Sequence, residues 1–399
     1  MDSFCVSAQV LGTPKHLVVD ESGFSWLNEQ PADMWLFTGT IKNDHSRCLD
    51  TLFKLNKIAI EEKPEKRYRS PFEDTFGLTS VPWAKVMPEA AHRAFTKKLI
   101  HDIVEAIEKS EKDYYKGTWV PESIIFKHIR PANVDVNLLE SYILSRSGNI
   151  SALTSFVPTV GSMARAPKYD RLGTITGRLK ISSGADVMTL KKEHRNILKS
   201  IHRNGKIMYV DFSALEPRIV LYEAGKRCDS HDVYSTIVDD LKLSSRKQAK
   251  AAVISEIYGG SKTLLGNVLG LEGKELNSFI RMMKSYFKTN DLRKKIKKQF
   301  IDTGHIKNRY GRIISVDEPL DHILFNYYVQ STGVDVSLLG FSSLIESINE
   351  KHPDVSVLFV LHDAMFIDVP EHAIDFVSSL KSVTVKGYVQ SFPISVSSI

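Results

Sequence analysis

The sequence predicts an α+β protein in which a few apolar strands are carried among long helices. Three observations lead to this. Two β-rich runs, Val355–Leu361 and Met365–Val369, flank the pair His362–Asp363 and read as a tight hairpin. A third run, Lys206–Phe212, has the length and apolar character of a buried strand. Between and around these runs the apolar residues recur at helical spacing.

The elements follow in chain order. Residues 1–85 read as short mixed elements broken by Gly12, Pro14, Gly23, Pro31, Pro64 and Pro71, with His16–Asp20 as a strand. No motif marks this stretch, which is expected to form a small module of its own. From Pro88 to about Lys112, Phe95, Leu99, Ile103 and Ile107 share a helix face, with Lys97, Lys98 and His101 between them. A second helix is expected over Val136–Ser147. After a turn at Gly205 and the strand Lys206–Phe212, a helix runs from Ala214 to Ala224, with Pro217 in its first turn, where a missing N–H costs little. Ser245–Ser261 reads as a helix ended by Gly259–Gly260. Asn277–Phe300 reads as one long helix carrying Arg281, Lys284, Lys288, Arg293, Lys294, Lys295, Lys297 and Lys298. His322–Ile348 is expected to be mainly helical.

Composition narrows the setting without naming a function. The 399 residues are 42% hydrophobic and 25% charged, as in an ordinary globular protein of two or three modules. A net charge of +6 is compatible with a polyanionic partner and does not establish one. The three cysteines, Cys5, Cys48 and Cys228, lie far apart without metal-ligand spacing. They read as reduced thiols of a cytosolic compartment, with no disulfide framework and no zinc site. The N-terminus has no basic-then-apolar pattern and no apolar run reaches ~18 residues, so neither an export signal nor a membrane span is expected.

Two carboxylates stand out. A hairpin tip normally favours Asn-Gly or Asp-Gly, yet here it carries His362–Asp363. Asp211 lies near the end of a buried strand, just before a helix. A turn Asp bonding its own backbone, or a helix N-terminal partner, accounts for either one alone. Together, on adjacent strands, they suit a pair of Mg²⁺ ions and phosphoryl transfer. Arg246 and Lys250 are four apart on one helix face, a pattern that grips a triphosphate and that a solvated basic face explains equally well.

The order of the pieces carries more than any one of them. Asp211-Phe-Ser-Ala-Leu-Glu216-Pro-Arg218 resembles motif A of the A-family DNA polymerases, the bacterial DNA polymerase I type. Arg246-Lys-Gln-Ala-Lys250, continuing to Ile254 and Tyr258-Gly259, resembles motif B, and Leu361-His362-Asp363-Ala364 resembles motif C. Thr174-Ile-Thr176-Gly177-Arg178-Leu179 is similar to the block before motif A. Gly304 through Asn308 to Gly311-Arg312 is similar to a stretch after the fingers, with Asn308 in a Thr place. Asn326-Tyr-Tyr-Val-Gln330-Ser-Thr332 is similar to the helix that tracks primer and template. Six such blocks in order, over about residues 170–370, make this a specific resemblance.

The resemblance implies a right-hand α+β fold: a palm with an antiparallel sheet at 155–219 and 320–399, helical fingers at 220–319 and a short helical thumb at 86–154. It implies two Mg²⁺ ions held by Asp211 and Asp363. Arg246 and Lys250 would contact the incoming nucleotide's phosphates, with Lys250 also a proton donor to the leaving pyrophosphate. Tyr258 would lie beside the templating base, Ile254 near the nucleotide sugar, and Glu216 would block a ribose 2′-OH. Arg178, Asn326, Gln330 and His362 would contact the primer–template. The implied partners are primer–template DNA, dNTPs and a separate exonuclease or processivity subunit, in a bacterial or phage-infected cytosol. The basic helix Asn277–Phe300 is a candidate contact for template or a protein partner, and a solvated face accounts for it equally.

The chain departs from the family pattern in several places. Ala364 follows the motif C Asp where an acidic residue is usual, and Ile254 stands where Phe or Tyr is usual. Ser255, His322 and Val187-Met-Thr-Leu190 also differ. With only Asp20–Glu21 resembling an acidic metal motif before the polymerase part, no 3′–5′ exonuclease is expected here. A single-subunit RNA polymerase shares a His-Asp turn and a small residue after it, but Glu216 leaves no room for a ribose. A non-catalytic DNA-binding scaffold would have no use for Asp211, Asp363, Arg246, Lys250 and Tyr258 together.

Overall fold

The computed structural model describes residues 3–40, 47–69, 81–226, 228 and 230–399; Pro71, expected as a breaker, lies outside them. The chain divides into two compact units, Met1–Val120 and Pro121–Ile399. The expected thumb, 86–154, spans that division.

The first unit holds a four-stranded sheet built from β1 (Phe4–Val6), β2 (His16–Asp20), β3 (Gly23–Leu27) and β4 (Trp35–Phe37), in the order β3-β2-β1-β4. Pairs β1–β2 and β2–β3 are antiparallel, and β1–β4 is parallel. Asp20 closes the β2–β3 turn by accepting bonds from the Ser22 backbone N–H and hydroxyl, the local role an Asp takes in turns. Helix α1 (Leu49–Leu55) is followed by α2 (Glu89–Lys109), which buries Leu99, Ile103 and Ile107 on the face the spacing predicted.

The second unit is organised around another sheet. Its elements in chain order are α3 (Val136–Leu144), β5 (Lys206–Phe212), α4 (Leu215–Glu223), α5 (Val233–Leu241), α6 (Arg246–Tyr258), α7 (Lys262–Leu269), α8 (Gly273–Phe287), α9 (Thr289–Thr303), α10 (Asp321–Lys351), β6 (Ser356–Leu361), β7 (Ala364–Val369), β8 (Ser382–Val383) and β9 (Phe392–Ser398). The strand order is β6-β7-β5-β9-β8, and every pair is antiparallel. Alternation along β5 sends Met208, Val210 and Phe212 into the main core with Phe325, Val336 and Phe341 of α10. Ile207, Tyr209 and Asp211 take the other face, where Ile207 packs with Leu358 and Phe366 in a second core. Phe212 packs against Phe341 with ring centroids 5.0 Å apart and planes tilted by 51°, which seats β5 on α10 next to Asp211.

One expected element is corrected. The single basic helix over Asn277–Phe300 is two helices, α8 and α9, separated by Lys288 in left-handed backbone at φ 49°. The break has a packing reason. The Thr289 hydroxyl donates to the Glu256 carboxylate (2.5 Å), and the Arg293 guanidinium donates to the Glu256 carbonyl and lies 4.0 Å from the Phe325 ring centre. Arg293 is therefore a packing residue, whereas Arg281, Lys288, Lys294, Lys295, Lys297 and Lys298 are exposed.

A buried polar cluster ties several loops of this unit together. Arg171 pairs with Glu122 and donates to the Ser123 hydroxyl (2.7 Å), and both members of the ion pair are almost fully buried, at 2% and 1% exposure. Arg312 donates to the Arg171 carbonyl (3.1 Å), and Asn308 donates to Asp335 (2.7 Å) and Ser331 (3.0 Å). Burial, then the neighbouring Asp335 charge, pushes the Glu122 carboxyl well above the usual range. Gly177 takes φ +81°, and a Cβ there would fall 2.6 Å from the Arg312 guanidinium carbon. Physical need for close approach thus accounts for Gly177 and Arg312 in their respective blocks.

Candidate active site

The hairpin places the first carboxylate. Leu361 pairs with Ala364, so His362 and Asp363 form the two-residue turn between β6 and β7. His362 adopts φ 53°, a left-handed conformation that costs a non-glycine residue ~1–3 kcal/mol. Ala214, just past Asp211, is left-handed too, at φ 53° and ψ 55°. His362 adjoins Asp363 and Ala214 lies three residues past Asp211, strained backbone of the kind that clusters at functional sites.

The two carboxylates come together because β7 and β5 are neighbours. Ala364 is the in-register partner of Asp211, and the Phe212 N–H donates to the Asp363 carbonyl at 2.9 Å. Burial and the Asp363 charge push the Asp211 carboxyl up to about 6, and burial raises Asp363 against the pull of His362 and Arg178. Two partly buried carboxylates that repel each other form an all-oxygen donor set short of positive charge. That set fits Mg²⁺, which takes one or two carboxylates and completes its shell with water and phosphate. No group of three or more His, Cys, Asp or Glu side chains suited to a metal occurs among the described residues, so these two would share the load.

Metal affinity should therefore follow pH. Asp211 must lose its proton to bind a cation, so Mg²⁺ binding is expected to strengthen as pH rises through about 6. The stability sign is opposite for the metal-free protein. A carboxyl raised in the folded state binds more protons folded than unfolded, so its contribution falls as pH climbs from the usual range to about 6. Thermal melts with and without Mg²⁺ should show stabilisation that is larger near neutral pH than near pH ~5, and an Mg²⁺ effect independent of pH would contradict this.

The cleft beside Asp363 gathers further residues. Arg178, Glu216, Gln330, His362 and Asp363 all line it. Arg178 lies 3.7 Å from the Glu216 carboxylate, whose pKa burial nevertheless raises to about 7. Asn326 sits one helical turn before Gln330 on α10, with its side-chain carbonyl buried and lacking a hydrogen-bond partner. Such a buried, unsatisfied acceptor is uncommon in a folded protein.

Asp211, Asn326, Arg246, Lys250, Ile254 and Tyr258 do not line that cleft. The last four form a stripe along α6, which starts at the Ser245 cap and ends at Gly259 in left-handed backbone. Ala249, Ala252, Val253, Glu256 and Ile257 are buried, which leaves Arg246, Lys250 and Ile254 exposed in a row, Ile254 at 42%. Tyr258 closes the stripe, half-buried. Four-residue spacing explains why these share one face.

Sequence reasoning missed Arg246's partners. The Arg246 Nε donates to the Asp232 carboxylate at 2.8 Å, and its guanidinium lies 4.8 Å from the Tyr234 ring centre. Asp232 also caps α5, accepting from the Tyr234 N–H (3.1 Å) and the Ser235 hydroxyl (2.9 Å). Burial raises the Tyr234 hydroxyl; Arg246 lowers it, and Glu216, Asp232 and Asp363 raise it further. That ring therefore lies within electrostatic reach of both α6 and the acidic turn. Arg218, part of the motif A resemblance, has a structural role that its motif does not announce. Fully buried, it donates to the carbonyls of Ser213 (2.8 Å), Cys228 (2.9 Å), Ser230 (2.6 Å) and His231 (2.8 Å). A cap signal in the sequence marks Asp232, but nothing local announces its ion pair.

Among the described residues, all three cysteines are buried free thiols, and no helix is long and apolar enough to cross a membrane.

Comparison with known proteins agrees with the geometry. The chain is similar to DNA polymerase I of Caldicellulosiruptor bescii, with 22% identity over 304 residues, covering 69% of this chain and 35% of that protein. It is similar to the thermostable DNA polymerase I of Thermus thermophilus, with 23% identity over 367 residues, 84% of this chain and 43% of that protein. The chain thus spans well under half the length of these relatives. The polymerase domain of M. smegmatis Pol1, solved with DNA primer–template and dNTP, superposes with a TM-score of 0.59 at 11% identity, over 100% of this chain and 95% of that one. The α+β fold is that of this polymerase domain. A family model described as DNA polymerase family A matches residues 146–398, and the chain belongs to that family of nucleotidyltransferases.

Proposed function

We propose that the chain is a DNA-templated DNA polymerase, adding deoxynucleotides to a primer 3′-OH in replication or repair. One observation carries this reading. The two carboxylates of the motif A and motif C resemblances, Asp211 on β5 and Asp363 at the β6–β7 turn beside it, come together as a mutually repelling, partly buried pair. They open beside a cleft lined by Arg178, Glu216, Gln330 and His362.

Asp211 and Asp363 would hold two Mg²⁺ ions, which when bound activate the primer hydroxyl and neutralise charge on the leaving pyrophosphate. The rest of the task falls to positioning and electrostatics. Arg246 and Lys250, exposed on one face of α6, grip the triphosphate, and Lys250 gives a proton to the departing pyrophosphate. Tyr258 lies beside the templating base and Ile254 near the sugar. Arg178, His362, Gln330 and Asn326 hold the primer–template near its terminus. Glu216, pinned at the cleft by burial and Arg178, fills the space a 2′-OH would need.

Sugar choice tests the reading. The wild type should extend a primer with dNTPs and reject rNTPs. Glu216→Ala should admit rNTPs, lowering the discrimination by about 10²-fold, or ~2.7 kcal/mol. Preferential rNTP use by the wild type would move the reading to RNA synthesis. No extension with either, beside intact primer–template binding, would leave a scaffold or an enzyme lacking a subunit.

A further inference from the structure

We infer that Asp232 and Tyr234 are positioning residues that hold the Arg246 guanidinium with its outer fork free for a phosphate. This rests on Arg246 being the triphosphate ligand proposed above. The geometry is specific. Asp232 takes only the Nε edge of the guanidinium, at 2.8 Å, and Tyr234 backs one face, 4.8 Å from the ring centre. An arginine has five N–H donors in a planar fork, so with Nε engaged its two terminal nitrogens stay available for bidentate contact. A long exposed side chain left alone would lose rotamer freedom on gripping a ligand. Here the carboxylate and ring have removed part of that freedom beforehand.

The clamp is also tied to the acidic site. Asp232 follows directly on His231, whose carbonyl, with those of Ser230 and Cys228, is held by the buried guanidinium of Arg218. The same guanidinium holds the Ser213 carbonyl, two residues past Asp211. A short rigid chain of contacts thus runs from the Asp211 strand through Arg218 to Asp232 and Arg246. It sets the distance between the metal carboxylates and the fork that would hold the phosphates. An exposed ion pair adds little to folding stability, so its worth lies in this placement.

The test measures dNTP affinity without turnover, on a dideoxy-terminated primer–template with Mg²⁺, for Asp232→Ser, Arg246→Ala and the double variant. Serine keeps the helix cap but is too short to reach Arg246. Asp232→Ser should raise the dNTP Kd about fivefold, and extension of an ordinary primer should show KM rising likewise with kcat within about twofold. The effect should vanish in the Arg246→Ala background. Tyr234→Leu should give a smaller rise that vanishes in the same way. If Asp232→Ser folds poorly, Asp232→Asn, which keeps cap and acceptor but not charge, should still weaken binding at least twofold. An unchanged or tighter Kd, or a loss that persists without Arg246, would overturn the clamp. Arg246→Ala binding dNTP as well as wild type would overturn the underlying assignment of Arg246 as well. A weakened Arg246→Ala beside an unaffected Asp232→Ser would remove the clamp alone.

Discussion

Replacing Asp363 with alanine should lower single-turnover nucleotide incorporation by about 10⁴-fold while changing primer–template affinity by no more than about threefold. The magnitude follows from what the pair does. A bound cation supplies several kcal/mol of transition-state charge stabilisation, and each ~1.4 kcal/mol is tenfold in rate. Half the protein's donor set is lost with this carboxylate. Binding of DNA rests on other residues, so it should persist. The same substitution removes a charge that repels Asp211, and the Asp211 carboxyl should then fall back toward the ordinary range. Metal-free Asp363→Ala should accordingly be no less stable than the wild type, and Mg²⁺ should no longer raise its melting temperature. Rapid-quench kinetics and melts read both. A tenfold effect or less on the rate would mean that Asp363 is only a turn residue bonding its own backbone.

Arg171→Met should cost about 3–5 kcal/mol of stability, read as a drop in the urea midpoint at constant slope. Arg171 and Glu122 are buried together, with Asp335 and Arg312 beside them. Removing the guanidinium leaves the buried Glu122 carboxyl without its ion-pair partner, and methionine cannot serve the Ser123 hydroxyl. Glu122→Gln should be far milder, under about 1.5 kcal/mol, because burial and Asp335 already push that carboxyl toward its neutral form. Equal losses in the two variants would show that the pair is needed as a pair of charges.

The sequence was most legible where local pattern and chemistry coincide. The strand Lys206–Phe212 has the expected bounds, and the hairpin puts His362 and Asp363 at its turn. Gly259 ends the helix that carries Arg246 and Lys250, as its left-handed backbone requires. Each of these follows from spacing of a few residues. What stayed hidden depends on contacts distant in sequence. That β9, from the chain's end, pairs with β5 on the side away from β7 is a matter of topology, which periodicity does not encode. The break at Lys288 has no glycine or proline to announce it, because it is set by Thr289 and Arg293 docking on Glu256. Asp232 reads locally as a cap, and only the fold brings Arg246, fourteen residues on, to its carboxylate. The first unit's sheet was visible at one strand, His16–Asp20, since β1 and β4 have three residues each and β3 is mostly exposed, without a buried apolar face to mark it.

The most direct test of the account is primer extension by the purified chain on a primed DNA template in Mg²⁺, offering one dNTP at a time. Only the nucleotide complementary to the next template base should be added, with one pyrophosphate released per addition. Absence of addition with each of the four dNTPs in turn, with primer–template bound, would contradict it.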